Sequence, residues 1–353
     1  MFSTYYIGIR YRDNLTLGST LTILSIFVFF SAVRYDVGVD CLSYIKSYNH
    51  VLQYFNSDRK DSEFGFIILM KILAFFKCSS TVFLGTIALI QIGFFFLALR
   101  REKYLYAYLI LFLIATGYYF SWMNGMRQIL ALSILVYAIS LKDLKLKALT
   151  CIFASFFHTS ALLMLPVVFV CYFYNKIWIS RIDIKIALIV IAQLLPQAIG
   201  LSFILSKVDM VMELIGYNRY VDAASIIKQN EQSLALGPRY YILVLLGVII
   251  TIFSKKIAEH FKDSLFVPIY NLYFIGLILT PLFRSSLHLM RFLMYFNELS
   301  FLAVAYTFCY LQQKKPDAVY NWAFFALTCM YLLISLYTAD NTDHLLYQFS
   351  FNK

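Results

Sequence analysis

The sequence predicts an all-α protein that crosses a membrane many times. Of its 353 residues, 61% are hydrophobic and 14% are charged, and the mean hydropathy is +0.73. Soluble domains are about half apolar and about a quarter charged. Phe (34) and Tyr (28) are unusually frequent, which suits helices with aromatic belts at the membrane interfaces. Apolar runs continue from end to end, so we expect one integral membrane domain over residues 1–353.

The positive charge of the chain does not indicate nucleic-acid binding. The net charge is +11, but the basic residues form small clusters between apolar runs, as in cytoplasmic loops of membrane proteins. No zinc-finger, RNP or helix-turn-helix pattern is present. The six cysteines include no C-x-x-C pair, and four of them lie inside apolar runs. We therefore expect neither a disulfide framework nor a zinc site.

Hydropathy predicts about eleven transmembrane helices. A span needs about 20 apolar residues. The first run is predicted to be retained, since no signal-peptide cleavage site follows it before Arg34. Two short runs indicate tilted helices, or helices broken around His158 and Pro166. The predicted spans lie near 14–33, 79–99, 104–122, 126–141, 146–158, 160–175, 184–204, 239–254, 264–283, 291–311 and 319–338.

Basic loops set the predicted orientation. With the N-terminus inside, the segments 100–103, 142–147, 176–185, 255–262 and 314–315 are also inside, as the positive-inside rule favours. The run 64–76 is short and is interrupted by Lys71. If it crossed, Arg100 and Arg101 would lie outside, so it is predicted to be a re-entrant or interfacial helix on the outer side. Two long external loops, 34–63 and 205–238, and the tail from Ala339 remain outside.

Polar residues gather on the external side of this topology. Arginine there runs against the positive-inside bias, and guanidinium groups pair bidentately with phosphate. The pattern predicts a polyanionic ligand, such as a pyrophosphate on a lipid. Snorkelling anchors at span ends would also explain Arg34, Arg239 and Arg291, and a helix-breaking role would explain His158. The external set is Arg34, Asp36, Asp40, Glu63, Arg127, His158, Arg219, Arg239, Arg284, His288 and Arg291.

Metal and nucleotide chemistry find little support in the motifs. Asp61 and Glu63 form a short acidic motif, but two carboxylates are a weak metal signal, so no metal site is predicted. Arg284, His288 and Arg291 are spaced so that all three share one helix face. The H-E-x-x-H, G-x-S-x-G, Walker and G-x-G-x-x-G patterns are absent, which argues against a membrane protease, a hydrolase or a nucleotide-driven pump.

Five motifs in order resemble a known family. They are Arg34-Tyr-Asp-Val-Gly38-Val-Asp40 with Tyr44 and Tyr48, Glu63-Phe-Gly65, Arg127-Gln128 with Leu130-Ala131, Phe157-His158-Thr159-Ser160-Ala161, and Arg291 with Tyr295. With this order and spacing, the chain resembles the EpsG-like branch of the Wzy polysaccharide polymerases, which make bacterial O-antigen, capsule and exopolysaccharide.

The resemblance implies a glycosyltransferase with a GT-C-like helical bundle in the bacterial inner membrane. Its active face would be periplasmic, and loops 34–63 and 205–238 would be periplasmic loops. The enzyme would move a glycan linked to undecaprenyl pyrophosphate onto a lipid-linked repeat unit, without a cofactor or metal. A chain-length regulator and a flippase would be its partners, besides the lipid bilayer.

Residue roles follow from the resemblance and the predicted topology together. Arg127, Arg284 and Arg291, with Tyr295, are expected to hold the departing pyrophosphate. Asp40 or Glu63 is the expected general base, with His158 as the competing candidate. Arg34 is expected to clamp a phosphate or to orient Asp40. An O-antigen ligase, a lipid-linked oligosaccharide flippase and a sugar acyltransferase remain as alternative functions.

Overall fold

A computed structural model describes residues 17–38, 40–56, 63–199, 237–284, 287–314 and 319–337. In these ranges the regular structure is helical and contains no β-strand, which agrees with the predicted all-α class. The helices are α1 Leu17–Ala32, α2 Cys41–Tyr54, α3 Phe64–Phe75, α4 Ser80–Ala98, α5 Tyr106–Ala115, α6 Tyr118–Asn124, α7 Met126–Ser140, α8 Leu144–Ser155, α9 Leu165–Phe173, α10 Ile182–Ile199, α11 Pro238–His260, α12 Phe266–Phe283, α13 Leu287–Asn297, α14 Ser300–Lys314 and α15 Val319–Tyr337, with 3₁₀ turns at Lys103–Leu105 and Thr159–Met164.

The chain divides into two compact units. The first contains the described residues up to Asn175 together with those from Leu332 onward, and the second contains the described part of Lys176–Tyr331. Two such units are compatible with one membrane domain, so the single domain over 1–353 stays a prediction. Most of the loop 205–238, Arg219, Asp61, the side chains of Arg239 and His288, and the tail from Ala339 lie outside the described residues.

The count of about eleven spans is not confirmed. By length and composition, four helical stretches among the described residues could cross a membrane: Ser80–Ala98, Tyr240–His260, Phe266–Phe283 and Leu289–Lys314. The last of these runs through both α13 and α14. The bent pair α6–α7 would make a fifth. Some predicted spans are divided into shorter helices at turns of the backbone. The run 104–122 is split at Gly117, whose φ of 73° lies in the left-handed region that glycine adopts without strain. The described part of the chain is therefore a multi-pass candidate, and it contains fewer helices of spanning length than the runs that hydropathy predicts.

Two predicted features of the shorter runs can be compared with the structure. Of the two alternatives predicted for the short runs, the break around His158 and Pro166 is present, because α8 ends at Ser155 and a 3₁₀ turn precedes α9. Over the run 64–76, α3 has 12 residues, or about 18 Å at 1.5 Å per residue, which is short of a bilayer core of about 30 Å. Phe64, Ile68 and Phe75 are exposed on it. Its interfacial or re-entrant placement stays a prediction.

The first loop predicted to be external contains a helix that the sequence did not reveal. α2 buries Tyr44, Tyr48 and Val51 on one face, because their spacing of three to four residues aligns them. The Tyr48 ring stacks on Phe83 of α4 with centroids 4.4 Å apart, and its hydroxyl donates to the Cys78 carbonyl at 2.8 Å. The helix α2 of this segment therefore packs against α4 within the first unit.

Candidate functional site

A sharp break between α6 and α7 lies beside the site. The two helices meet at Gly125 and are bent by 116°. A break of this kind leaves backbone carbonyls without intrahelical partners, and such groups are tolerated at membrane depth only where protein or water satisfies them. The Gln91 side-chain amide, which is 3% exposed, donates from Nε2 to the Met126 carbonyl at 3.0 Å. The break is thus held by side chains from neighbouring elements.

Arg34 is one of these side chains. It is 2% exposed, and it donates from Nη1 to the Ser31 carbonyl and from Nη2 to the Met123 carbonyl, each at 3.0 Å. These carbonyls belong to the last turns of α1 and α6, where a positive charge is favourable. The structure therefore places Arg34 as an anchor between two helix ends. Its predicted contact with a phosphate is not seen and stays a prediction.

Asp40 lies at the start of α2 and joins the same break through its backbone. Its amide donates to Asn124 Oδ1 at 2.9 Å, while its carboxylate makes no capping bond to α2. Among the described residues no hydrogen bond or ion pair joins Arg34 to Asp40. The predicted orientation of Asp40 by Arg34 therefore has no direct contact behind it.

Glu63 brings two further predicted residues together. Its Oε2 accepts from Arg127 Nη1 at 2.5 Å, and its Oε1 contacts His158 Nδ1 at 2.8 Å. The Thr159 amide also donates to Oε1, at 3.4 Å. Arg127 Nε in turn donates to the Tyr44 hydroxyl at 3.4 Å. Arg127 is 64 positions from Glu63 in the sequence, and His158 is 95 positions from it. The fold thus brings distant residues into one cluster, named here the Glu63 cluster: Glu63, Arg127, His158 and Tyr44.

Local structure explains how the Glu63 cluster forms. Glu63 is the residue before α3, in an extended conformation, and the Gly65 amide donates to the Phe156 carbonyl at 2.9 Å. A Cβ on Gly65 would lie 2.8 Å from that carbonyl oxygen, so only glycine permits this approach. The contact brings the start of α3 against the end of α8, two residues before His158. Arg127 enters from the first turn of α7.

The cluster is partly open and carries balanced charge. The side chains of Arg127, Glu63 and His158 are 21%, 12% and 28% exposed. Burial raises the pKa of Glu63, but the hydrogen bond with His158 and the charge of Arg127 outweigh it, so that the pKa lies below its ordinary value. The carboxylate is therefore ionised at neutral pH. A charged carboxylate, a guanidinium and an imidazole within contact distance can bind an anion and transfer a proton.

The remaining predicted residues belong to the second unit. Arg284 follows α12 directly, and its Nε is buried and has no hydrogen-bond partner among the described residues. Arg291 is exposed on α13, whereas Tyr295, one turn further along, is 0% exposed. Their contact with a pyrophosphate stays a prediction. In the described part of the chain, no three His, Cys, Asp or Glu side chains come together as a possible metal-binding group.

Some contributors to the site were missed or only partly recognised from the sequence. Gln91 lies inside an apolar run, and a polar residue within a span is a functional candidate by default, so this signal was available. Asn124 precedes Gly125 and could have been recognised as a turn. Tyr44 was noticed only as part of a motif. The closeness of Gly65 to Phe156 has no sequence signal, because it depends on two distant helix ends.

The fold and the Glu63 cluster define an all-helical, multi-pass membrane protein with a charged, partly exposed site. The chain matches the EpsG family over residues 19–350, and it belongs to that family. Comparison with curated proteins and with solved structures gives no match. Family membership indicates a role like that of a polysaccharide polymerase, of a generally glycosyltransferase type.

Proposed function

We propose that this protein is a polysaccharide polymerase of O-antigen type. It transfers a glycan from undecaprenyl pyrophosphate onto a lipid-linked repeat unit at the periplasmic face of the bacterial inner membrane. Family membership supports the reaction class. The observation that carries the proposal is the Glu63 cluster, because it combines a cation with two candidate proton acceptors in a partly exposed site.

Arg127 is the proposed contact for the departing pyrophosphate. Negative charge develops on this group as the glycosidic bond breaks, and a guanidinium placed beside it stabilises that charge. Arg127 is held by Glu63 and Tyr44, so it is oriented before the lipid arrives. An incoming phosphate would compete with Glu63 for the guanidinium. Arg284 and Arg291, with Tyr295, are proposed as further contacts to the diphosphate.

Arg34 receives a positioning role in this proposal. Its guanidinium is buried between the ends of α1 and α6, next to the break that precedes Arg127. Its charge stabilises the two helix ends and thereby the first turn of α7. Asp40, whose amide contacts Asn124, stays a candidate base beside Glu63 and His158.

The surroundings of the enzyme follow from the same proposal. Its fold is a GT-C-like helical bundle, and its activity needs no cofactor or metal. A flippase delivers the lipid-linked repeat unit to the periplasmic face, and a chain-length regulator sets the polymer length. The bilayer itself supplies the medium in which both lipid-linked substrates diffuse to the site.

The test is complementation of a deletion strain with wild type or Arg127→Ala, followed by a gel of the surface glycolipid. Loss of one charge stabiliser costs on the order of 10²–10³ in rate, so the long ladder should collapse to core plus one repeat unit. Arg127→Lys should recover only part of the ladder, because it lacks bidentate geometry. Arg181→Ala is the matched control, since Arg181 is 70% exposed and pairs with Asp183, and it should leave the ladder intact.

Other outcomes of this gel would contradict the proposal. Collapse to bare core would indicate a ligase or a flippase, because attachment or delivery of the unit would then be lost. An unchanged ladder for Arg127→Ala, with normal protein abundance, would remove Arg127 from the mechanism.

A further inference from the structure

We infer that His158 is the general base of the transfer, accepting the proton of the acceptor hydroxyl on Nε2, and that Glu63 is the positioning residue that holds its ring. The inference rests on the proposed function and assigns a role that the candidates Asp40, Glu63 and His158 had shared. It is carried by how the hydrogen bonds of the Glu63 cluster are distributed.

Both carboxylate oxygens of Glu63 already accept hydrogen bonds. Oε2 accepts from Arg127 at 2.5 Å, and Oε1 is shared by His158 Nδ1 at 2.8 Å and the Thr159 amide at 3.4 Å. Each carboxylate oxygen can accept about two hydrogen bonds, so Oε1 is fully used, and a substrate hydroxyl could reach only the remaining lone pair of Oε2, beside Arg127. The paired guanidinium also favours the ionised form, which makes this carboxylate a weaker base.

The same contact determines the tautomer of His158. An ionised carboxylate only accepts hydrogen bonds, so the hydrogen between Glu63 and His158 is on Nδ1. In the neutral ring the lone pair then lies on Nε2. Within the part of the chain that the structure describes, Nε2 has no hydrogen-bond partner. Of Arg127, Glu63 and His158, His158 has the most exposed side chain, at 28%, which leaves Nε2 as the unused acceptor on the most open of these side chains.

Among the residues that the structure describes, few other ionisable groups lie near the ring. The Glu63 carboxylate faces it directly, the Arg127 guanidinium lies on the far side of that carboxylate, and the Tyr44 hydroxyl contacts Arg127. Asp40 makes its contact with this region through its amide and Asn124. A carboxylate that holds the imidazole in one tautomer and stabilises the imidazolium is a recurring arrangement in hydrolases.

The transfer balances with His158 as the base. The acceptor hydroxyl gives its proton to Nε2, and its oxygen forms the new bond to the anomeric carbon of the donor glycan. The bond from that carbon to the pyrophosphate oxygen breaks, and its electron pair leaves on the lipid pyrophosphate. The imidazolium that remains is stabilised by Glu63 and returns its proton to water.

The experiment measures kcat against pH for the full-length protein in lipid nanodiscs, with lipid-linked repeat units isolated from the deletion strain. His158→Gln should lower kcat by on the order of 10²–10⁴, as loss of a general base does, and should abolish the acidic limb of the profile. Glu63→Gln keeps the shape but removes the charge that stabilises the imidazolium formed in the transfer, so it should lower kcat while the acidic limb remains. His50→Gln is the matched control, because His50 also uses Nδ1 toward an acceptor, the Asn56 carbonyl.

A second measurement does not depend on turnover. Nitrogen-15 NMR of ring-labelled histidine, with His158 identified by its loss in His158→Gln, should show the neutral Nδ1–H tautomer. Glu63→Leu removes the acceptor and should return the ring toward the Nε2–H form. An unchanged tautomer in Glu63→Leu would overturn the positioning role.

The outcomes separate the inference from the proposed function. Suppose that the wild type polymerises, and that the acidic limb persists in His158→Gln but disappears in Glu63→Gln or Asp40→Asn. The base is then a carboxylate, so the inference fails while the proposed function stands. If the wild type does not extend the lipid-linked units at any pH, the proposed function fails and the base assignment with it. The unfolding temperatures of His158→Gln, Glu63→Gln and Asp40→Asn should match that of the His50→Gln control, which would exclude misfolding as the cause of any loss of activity.

Discussion

Gly65 is the residue on which the geometry of the Glu63 cluster depends most directly. Its amide bonds to the Phe156 carbonyl at 2.9 Å, and an added Cβ would meet that oxygen at 2.8 Å and the Phe156 Cβ at 2.9 Å. Both partners are fixed by helix ends, so neither can move away without moving α3 or α8. The sequence showed Gly65 within a motif, but the reason for glycine is this close approach.

Gly65→Ala should push the start of α3 away from α8. Overpacking of this kind typically costs about 1–3 kcal/mol, and separating Glu63 from His158 should lower polymerising activity as well. The measurement is thermal unfolding in detergent together with the ladder assay.

Gly93→Ala in α4 is the control, because its Cβ would meet nothing within 4 Å. Replacing a helical glycine by alanine is worth about 0.5–1 kcal/mol, so this variant should unfold at an equal or higher temperature. Equal behaviour of the two variants would contradict the close approach at Gly65.

At the scale of elements, the break between α6 and α7 is held by polar groups from three other segments: two side chains and one backbone amide. Gln91 of α4 and Arg34 after α1 satisfy carbonyls on either side of Gly125, and the Asp40 amide uses the Asn124 side chain. A helix broken at this depth would otherwise leave its backbone unsatisfied. The break places Arg127 in the first turn of α7. The contacts that hold the break therefore also hold Arg127 in the site.

Gln91→Leu should leave the Met126 carbonyl buried without its partner. An unsatisfied buried group costs about 1–3 kcal/mol, so the unfolding temperature should fall, and activity should fall with it because Arg127 follows Met126. Thr86→Ala is the control on the same helix, since the one hydrogen bond of the Thr86 hydroxyl within the described ranges goes to the Val82 carbonyl of its own helix. If both variants unfold at the wild-type temperature, Gln91 does not support the break.

At the scale of the whole molecule, charge distribution predicts the orientation in the membrane. The segments rich in Lys and Arg alternate with segments that carry the candidate site, and short basic loops remain in the cytoplasm. On this basis we expect the segment 34–63 to lie outside and the segment 176–185 inside. The Glu63 cluster would then face the periplasm, where the proposed reaction takes place.

Cysteine labelling tests this orientation. In a background with Cys78→Ser and Cys329→Ser, which removes the two cysteines that are not buried, Gln53→Cys should react with a membrane-impermeant maleimide on spheroplasts. Arg181→Cys should react only after permeabilisation. Both positions are exposed on the protein, so access differs only by side. Labelling of both, or the reverse pattern, would contradict the topology.

Composition and motif order were enough to identify a helical membrane protein, to recognise the EpsG family and to select Glu63, Arg127 and His158 as candidates. Hydropathy predicts about eleven spans, a count that the structure does not confirm, and it scores apolar residues alike whether they face lipid or other helices. It could not show that Arg34 contacts the carbonyls of Ser31 and Met123. That contact depends on which distant segments pack together in the folded chain. The same holds for the contacts of Glu63 with Arg127 and His158, which are 64 and 95 positions away in the sequence. Residue type therefore indicates the chemistry, while the packing of distant helix ends decides which residues share a site.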